Sequence, residues 1–203
     1  MRAIAGLIVV AVSLLIFSGA AWSGAPDKKT TPPRSVDVSN FDVAGVKTGM
    51  DYNEAVEAAA KYFKIDPCLI KPGGGILVNT NHSRSFSYEK DEAVLTVDLI
   101  TRIPVDKKRP GVVYKVSFKM PQSRENAAAM KKAALTKYGE PSGEGMVGAI
   151  MWCANPVFAA NGKNVSCREQ AALMLTFAYL ELRDPSWEKA AAASVTDSFK
   201  KNK

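Results

Sequence analysis

From Val112 to Met120 the chain alternates strictly enough to define a strand, with Val112, Tyr114, Val116, Phe118 and Met120 on one side and Val113, Lys115, Ser117 and Lys119 on the other. Such a strand has one dry face and one wet face. Half-solvated strands belong to antiparallel sheets, whereas parallel strands are covered on both faces and read as unbroken apolar runs. The dry face then needs helices to cover it.

The flanking sequence supplies them. Tyr52 to Lys64 places Tyr52, Ala55, Val56, Ala59 and Phe63 at helical spacing, with Asp51 as N-cap and Glu54 completing a capping box; Asp66-Pro67 ends it. Short strands are predicted at Ile76 to Val78 and Ser83 to Glu89, and a long one at Ala93 to Ile103, with Lys90-Asp91-Glu92 as a polar hairpin tip. Ser123 caps a second helix, Arg124 to Tyr138, that Gly139 and Pro141 terminate. Two further strands are expected, Met146 to Cys153 and Ala171 to Leu182, the second apolar on both faces and therefore central. A last helix starts at Pro185, capped by Asp184. Helices and strands do not alternate strictly, so the expected fold is α+β: a mostly antiparallel sheet with about three helices packed on one face.

The N-terminus carries a different message. Arg2 is followed by an apolar run from Ala3 to Phe17 and by small residues at Ser18-Gly19-Ala20 and Ala21-Trp22-Ser23, the layout of an export signal over residues 1–23. The run is too short and too loosely flanked for a stable membrane span. Residues 24–36 combine Pro, Thr and Lys with almost nothing to bury and read as a disordered leader, which leaves 37–203 as a single α+β domain. The expected location is periplasmic or secreted. A net charge of +7, with both signs mixed along the chain and no nucleic-acid motif, argues against nucleic acid as a partner.

Export places Cys68, Cys153 and Cys167 in an oxidising space, where one of the three must be left over. The turn-rich stretch from Asn155 to Gly162 lies between the apolar runs that carry Cys153 and Cys167, so these two could face each other across a hairpin neck; the other readings are a pair involving Cys68, or three buried thiols. No Cys-x-x-Cys and no Cys/His cluster is present, so no metal and no cofactor is expected.

The stretch Val46-Lys47-Thr48-Gly49-Met50-Asp51-Tyr52-Asn53-Glu54-Ala55-Val56 resembles the Gly-Met-x-x-x-Glu-x-Val helix start of β-lactamase-inhibitor-protein-like domains and of small outer-membrane assembly lipoproteins of the SmpA/OmlA type. The resemblance implies an exported α+β module that binds other proteins. The chain departs from the assembly lipoproteins in having no lipobox cysteine.

Side chains that could carry chemistry are few. His82, the sole histidine, lies in the polar stretch Asn79 to Arg84 and reads as a solvated loop residue rather than a catalytic base. Lys71-Pro72-Gly73-Gly74-Gly75 lacks the Gly-Lys-Ser/Thr ending of a phosphate loop and reads as a flexible turn. The basic run Lys107, Lys108, Arg109 could steer an anionic surface or an acidic partner. No catalytic constellation is visible. The leading expectation is therefore a non-enzymatic binding or structural module of the bacterial envelope, an assembly accessory or an inhibitor of a secreted enzyme, whose partner is another exported or envelope protein. The competing expectation is a small cell-envelope hydrolase that uses a carboxylate pair.

Overall fold

The computed structural model describes residues 32–77 and 83–201. The expected export signal over residues 1–23 and His82 lie outside the described residues. Among the described residues there are three α-helices, α1 (Tyr52–Phe63), α2 (Arg124–Tyr138) and α3 (Pro185–Lys201). Strands β1 (Lys71–Pro72), β2 (Ser85–Lys90), β3 (Ala93–Thr101), β4 (Gly111–Lys119), β5 (Gly143–Glu144), β6 (Ile150–Cys153), β9 (Ala172–Thr176) and β10 (Tyr179–Arg183) form one sheet in the order β1-β2-β3-β4-β10-β9-β6-β5. Strands β7 (Val157–Phe158) and β8 (Val165–Ser166) make a separate two-stranded ribbon. Every pairing among these strands is antiparallel, and the fold is α+β.

Local chemistry accounts for the helix ends. Asp51 accepts the Glu54 N–H while Glu54 accepts the Asp51 N–H, both at 2.9 Å, so two otherwise orphaned donors are satisfied. Ser123 caps α2 by accepting the Asn126 N–H at 3.0 Å. The core joins Ala55 and Ala59 of α1 and Met130 and Ala134 of α2 to Phe86, Leu95, Val97, Val116, Trp152, Leu173 and Leu182 of the sheet.

The sheet differs from the sequence expectation in one register. Asp98 pairs with Lys115 but Leu99 pairs with Val113, so Tyr114 is an extra residue in β4, a β-bulge. Beyond it the faces exchange: Val113 joins the core with Val116, and Val112 and Tyr114 turn to the opposite face. Two adjacent valines concealed the slip.

The third helix also stands elsewhere than expected. Helices α1 and α2 cover the core face, but α3 packs on β3 and β4 from the other side, where Arg183 meets Glu188 and Arg102 lies 5.4 Å over the Trp187 ring. The cause is visible in the strands. Ile100 pairs with Val112, and Val112, fully buried yet outside the main core, forms an apolar patch on the outer face that only a helix can cover.

Three smaller differences concern the ends and edges of the sheet. The run from Ala171 to Leu182 is two strands, because Phe177 takes a left-handed backbone (φ 50°) and reverses the chain between Thr176 and Tyr179. Lys71–Pro72, expected as part of a flexible turn, is the edge strand paired with Ser87 and Phe86. Arg34 and Val36, expected within a disordered leader, are held by the fold: Val36 donates its N–H to Cys153 O at 2.8 Å and packs on the core, and Arg34 pairs with Glu140 at 3.3 Å.

Candidate functional site

Alternation along β6, β9 and β10 divides their side chains between two layers. Trp152, Leu173, Leu175, Leu180 and Leu182 enter the core, which leaves Met151, Ala172, Met174, Glu181 and Arg183 on the outer face. Beyond the last of these strands the first turn of α3 rises as a wall.

The opposite wall is held by a disulfide. Cys153 and Cys167 are bonded, with Cα atoms 5.1 Å apart, and the bridge fastens the chain around β8 against the outer face, where Val165 packs with Met151 and Ala172. The expected bridge is present, though its geometry is not that of two cysteines level in one hairpin. Cys153 stands opposite Ala172, and Cys167 belongs to the segment that crosses over the sheet. Gly143 permits this close approach, since a Cβ there would lie 2.5 Å from Val165 Cγ2.

Between the two walls runs an open groove of about 480 Å³. Its floor is Met151, Ala172 and Met174; Arg168 borders the disulfide side, Glu181 and Arg183 the helix side. The lip is the loop Gly145-Met146-Val147-Gly148, closed by the Gly145 N–H donating to Ala149 O at 2.7 Å and by Asn164 Nδ2 donating to Gly145 O. On this lip Met146 is 67% exposed and Val147 94% exposed, and Val147 sits at φ 57°. A β-branched residue in left-handed backbone is strained, and its side chain gains nothing from burial here.

Glu181 and Arg183 line the helix side, and each has titratable neighbours outside the groove. Arg183 forms a two-pronged ion pair with Glu188, at 2.9 and 2.7 Å to the same carboxylate. Tyr179 donates to Glu181; burial first, and then that hydrogen bond to an anion, push the Tyr179 phenol up to about 12. Lys115 and Asp98 pair at 2.8 Å, which raises the Lys115 ammonium above its ordinary value. Glu181, the carboxylate that lines the groove, is occupied by Tyr179, so the groove offers polar recognition beside a methionine-rich floor rather than a poised acid and base.

No family model, curated protein or solved structure matches this chain.

The basic run is divided by the fold. Arg109 Nε lies 2.8 Å from Asp51 Oδ2 and its Nη2 donates to Glu54, so Arg109 braces the capping box of α1. Lys107 and Lys108 remain exposed in the loop. Asp51 and Glu54 are thus two carboxylates that meet, and both are committed to the helix end. Cys68, the remaining thiol, is exposed, and the hydrogen bond to Asp66 beside it holds its pKa above the ordinary value. The groove residues themselves carried one local signal, the glycines bracketing Met146-Val147, which mark a turn and give no hint of what that turn displays.

Proposed function

We propose that this protein is an exported, non-enzymatic binding module that engages another exported or envelope protein through the groove on the outer face of its sheet. One observation carries the reading. Met146 and Val147 are apolar, exposed and held by a strained backbone at the groove lip. Folding gains nothing from that arrangement, so the compensation comes from a partner that covers it.

The floor agrees with this role. Met151 and Met174 are unbranched and polarisable, suited to adapt to a partner's side chains, while Arg168, Glu181 and Arg183 give orientation at the walls. The groove is rigid where it needs to be, because the disulfide pins one side and the Arg183–Glu188 pair the other. The Gly49-Met50 helix start, with its likeness to exported protein-binding modules, gives the reading further support, as does the export signal. The rival reading, a hydrolase with a carboxylate pair, has less behind it, since Asp51 and Glu54 are drawn onto Arg109 and the helix N-terminus.

Parallel affinity capture from the native envelope tests the proposal, with the wild type beside a Met146→Ser, Val147→Ser double variant. The expected result is a defined partner that the wild type retains and the variant, equally folded by circular dichroism, loses. Retention of the same partner by both would show that the lip is not the interface.

A further inference from the structure

We propose a second binding site on the opposite face: the crevice between α1 and α2 takes the hydrocarbon chain of a single-chain anionic amphiphile, a fatty-acid carboxylate in its simplest form. The two helices that cover the core face stand apart, and among the described residues no side chain fills the gap between them. Phe118, Met120 and Leu180 form its floor, Tyr62 of α1 one side, Met130 and Ala134 of α2 the other. Clefts between helices, lined by apolar groups with a few polar atoms at the mouth, are the usual form of a small-molecule site.

Size and charge choose the occupant. The crevice holds about 280 Å³, the share of roughly nine water molecules at about 30 Å³ each. A methylene takes about as much room as a water, so the space matches one medium-length chain. A wall of aliphatic and aromatic carbon gains from such a chain and offers nothing to a polar one.

Polar atoms gather at one end of the crevice, where Lys137 and Tyr138 line it. The Lys137 ammonium gives hydrogen bonds to Asp42 Oδ1 at 2.7 Å and to Asp42 O at 3.0 Å. An ammonium has three donors, so one is left for a head group. Asp42 is in turn shared, because its Oδ1 also accepts the Gly45 N–H at 2.8 Å, which spreads its charge over two donors. Tyr138 spends its hydroxyl on Asp42 O, and its pKa is raised by burial and by the Asp42 anion, so it stays neutral and does not repel a carboxylate. An apolar slot ending in a cation with a spare donor matches a chain ending in an anion.

Titration of the full-length protein with decanoate below its micelle concentration, followed by NMR, tests the site. The expected result is one saturable event that moves the Met130 methyl and Phe118 ring signals. Ala133→Trp, at an exposed position that lines the crevice, should lower decanoate affinity about tenfold by filling the slot, and Ala129→Leu provides a second, milder plug should the first disturb folding. Lys137→Gln should weaken decanoate by about two- to fivefold, the range of an exposed ion pair, and leave decan-1-ol unchanged. Absence of saturable binding overturns the proposal, as do shifts that avoid Met130 and Phe118, or affinity unchanged in both plugged variants. Binding to phosphatidylglycerol vesicles without binding to monomeric decanoate overturns it too, since that pattern belongs to a bilayer surface rather than to this slot.

Discussion

Arg109 reaches back across the molecule to the N-cap of α1, its Nε 2.8 Å from Asp51 Oδ2. The residue stands 58 positions later in the chain and converts a local capping box into a tertiary joint between a helix start and the β3–β4 loop. Replacing Arg109 with Ala is expected to lower the melting temperature and to make the melt less sensitive to salt, while Lys107→Ala and Lys108→Ala leave both unchanged. Thermal melts at low and high ionic strength separate the three.

The same joint should show in acid. Burial raises the Asp51 pKa, but the Glu54 N–H and Arg109 together outweigh it and hold the carboxyl below its ordinary value. A depressed folded pKa means that the stability from this charge is complete above the unfolded value near 3.9 and is lost as pH falls through the folded pKa. Asp51→Asn, which keeps a capping oxygen, should therefore flatten the decline of stability below about pH 4. Asp51→Ala should cost about 1 kcal/mol at neutral pH by removing the cap. Denaturant melts between pH 2 and 7 check both; an acid limb identical in Asp51→Asn would remove Asp51 from the account.

Val147→Gly should stabilise the free protein and abolish partner retention. Glycine accepts φ 57° without a Cβ penalty, and the side chain it removes is 94% exposed. The expected gain is about 0.5–1 kcal/mol after the entropy of glycine is subtracted, or ~1–4 °C. A variant that melts lower would mean that Val147 makes contacts its exposure does not suggest.

The disulfide closes a loop with a sequence separation of 14 residues. Its loss in a Cys153→Ala, Cys167→Ala variant should cost about 3 kcal/mol by the chain-entropy account. The groove should suffer more than the core, because the bridge holds the wall around Val165 while Trp152 and Leu173 keep their own packing. Faster amide exchange confined to residues 157–168, with core strands still protected, is the expected signature.

The N-terminal boundary is open to a direct comparison. A chain begun at Asp37 lacks the Val36–Cys153 hydrogen bond, the partial burial of Val36 and the Arg34–Glu140 pair, which a chain begun at Pro32 keeps. The shorter chain should be less stable by about 1–2 kcal/mol. Equal melts would return Arg34 to Val36 to the leader.

What the amino-acid sequence determined by itself is whatever depends on near neighbours. Asp51 and Glu54 are three residues apart, so their reciprocal cap is written in four letters, and the same holds for Ser123 with Asn126. The stripe through Ala55 and Ala59 and the alternation from Val116 to Met120 report a period, and a period is local; from them follow the helices, the antiparallel sheet and the α+β class. The pairing of Cys153 with Cys167 was legible in the short turn-rich loop between them, but not the route by which they meet, since Cys153 stands opposite Ala172 and Cys167 crosses over the sheet.

Tertiary structure decided everything that requires two distant pieces to be compared. The bulge at Tyr114 exists because β3 and β4 must keep both Asp98–Lys115 and Leu99–Val113 in register, and neither strand alone reveals the extra residue. That slip put Val112 on the outer face, and its burial drew α3 to the far side of the sheet. Phe177 turns the chain without a glycine, since pairing of β9 with β10 outweighs the local cost of a positive φ. The groove and the crevice are consequences of these choices. A sequence records which residues are apolar, but a concave surface is the space left between elements, and only the packed fold specifies that space.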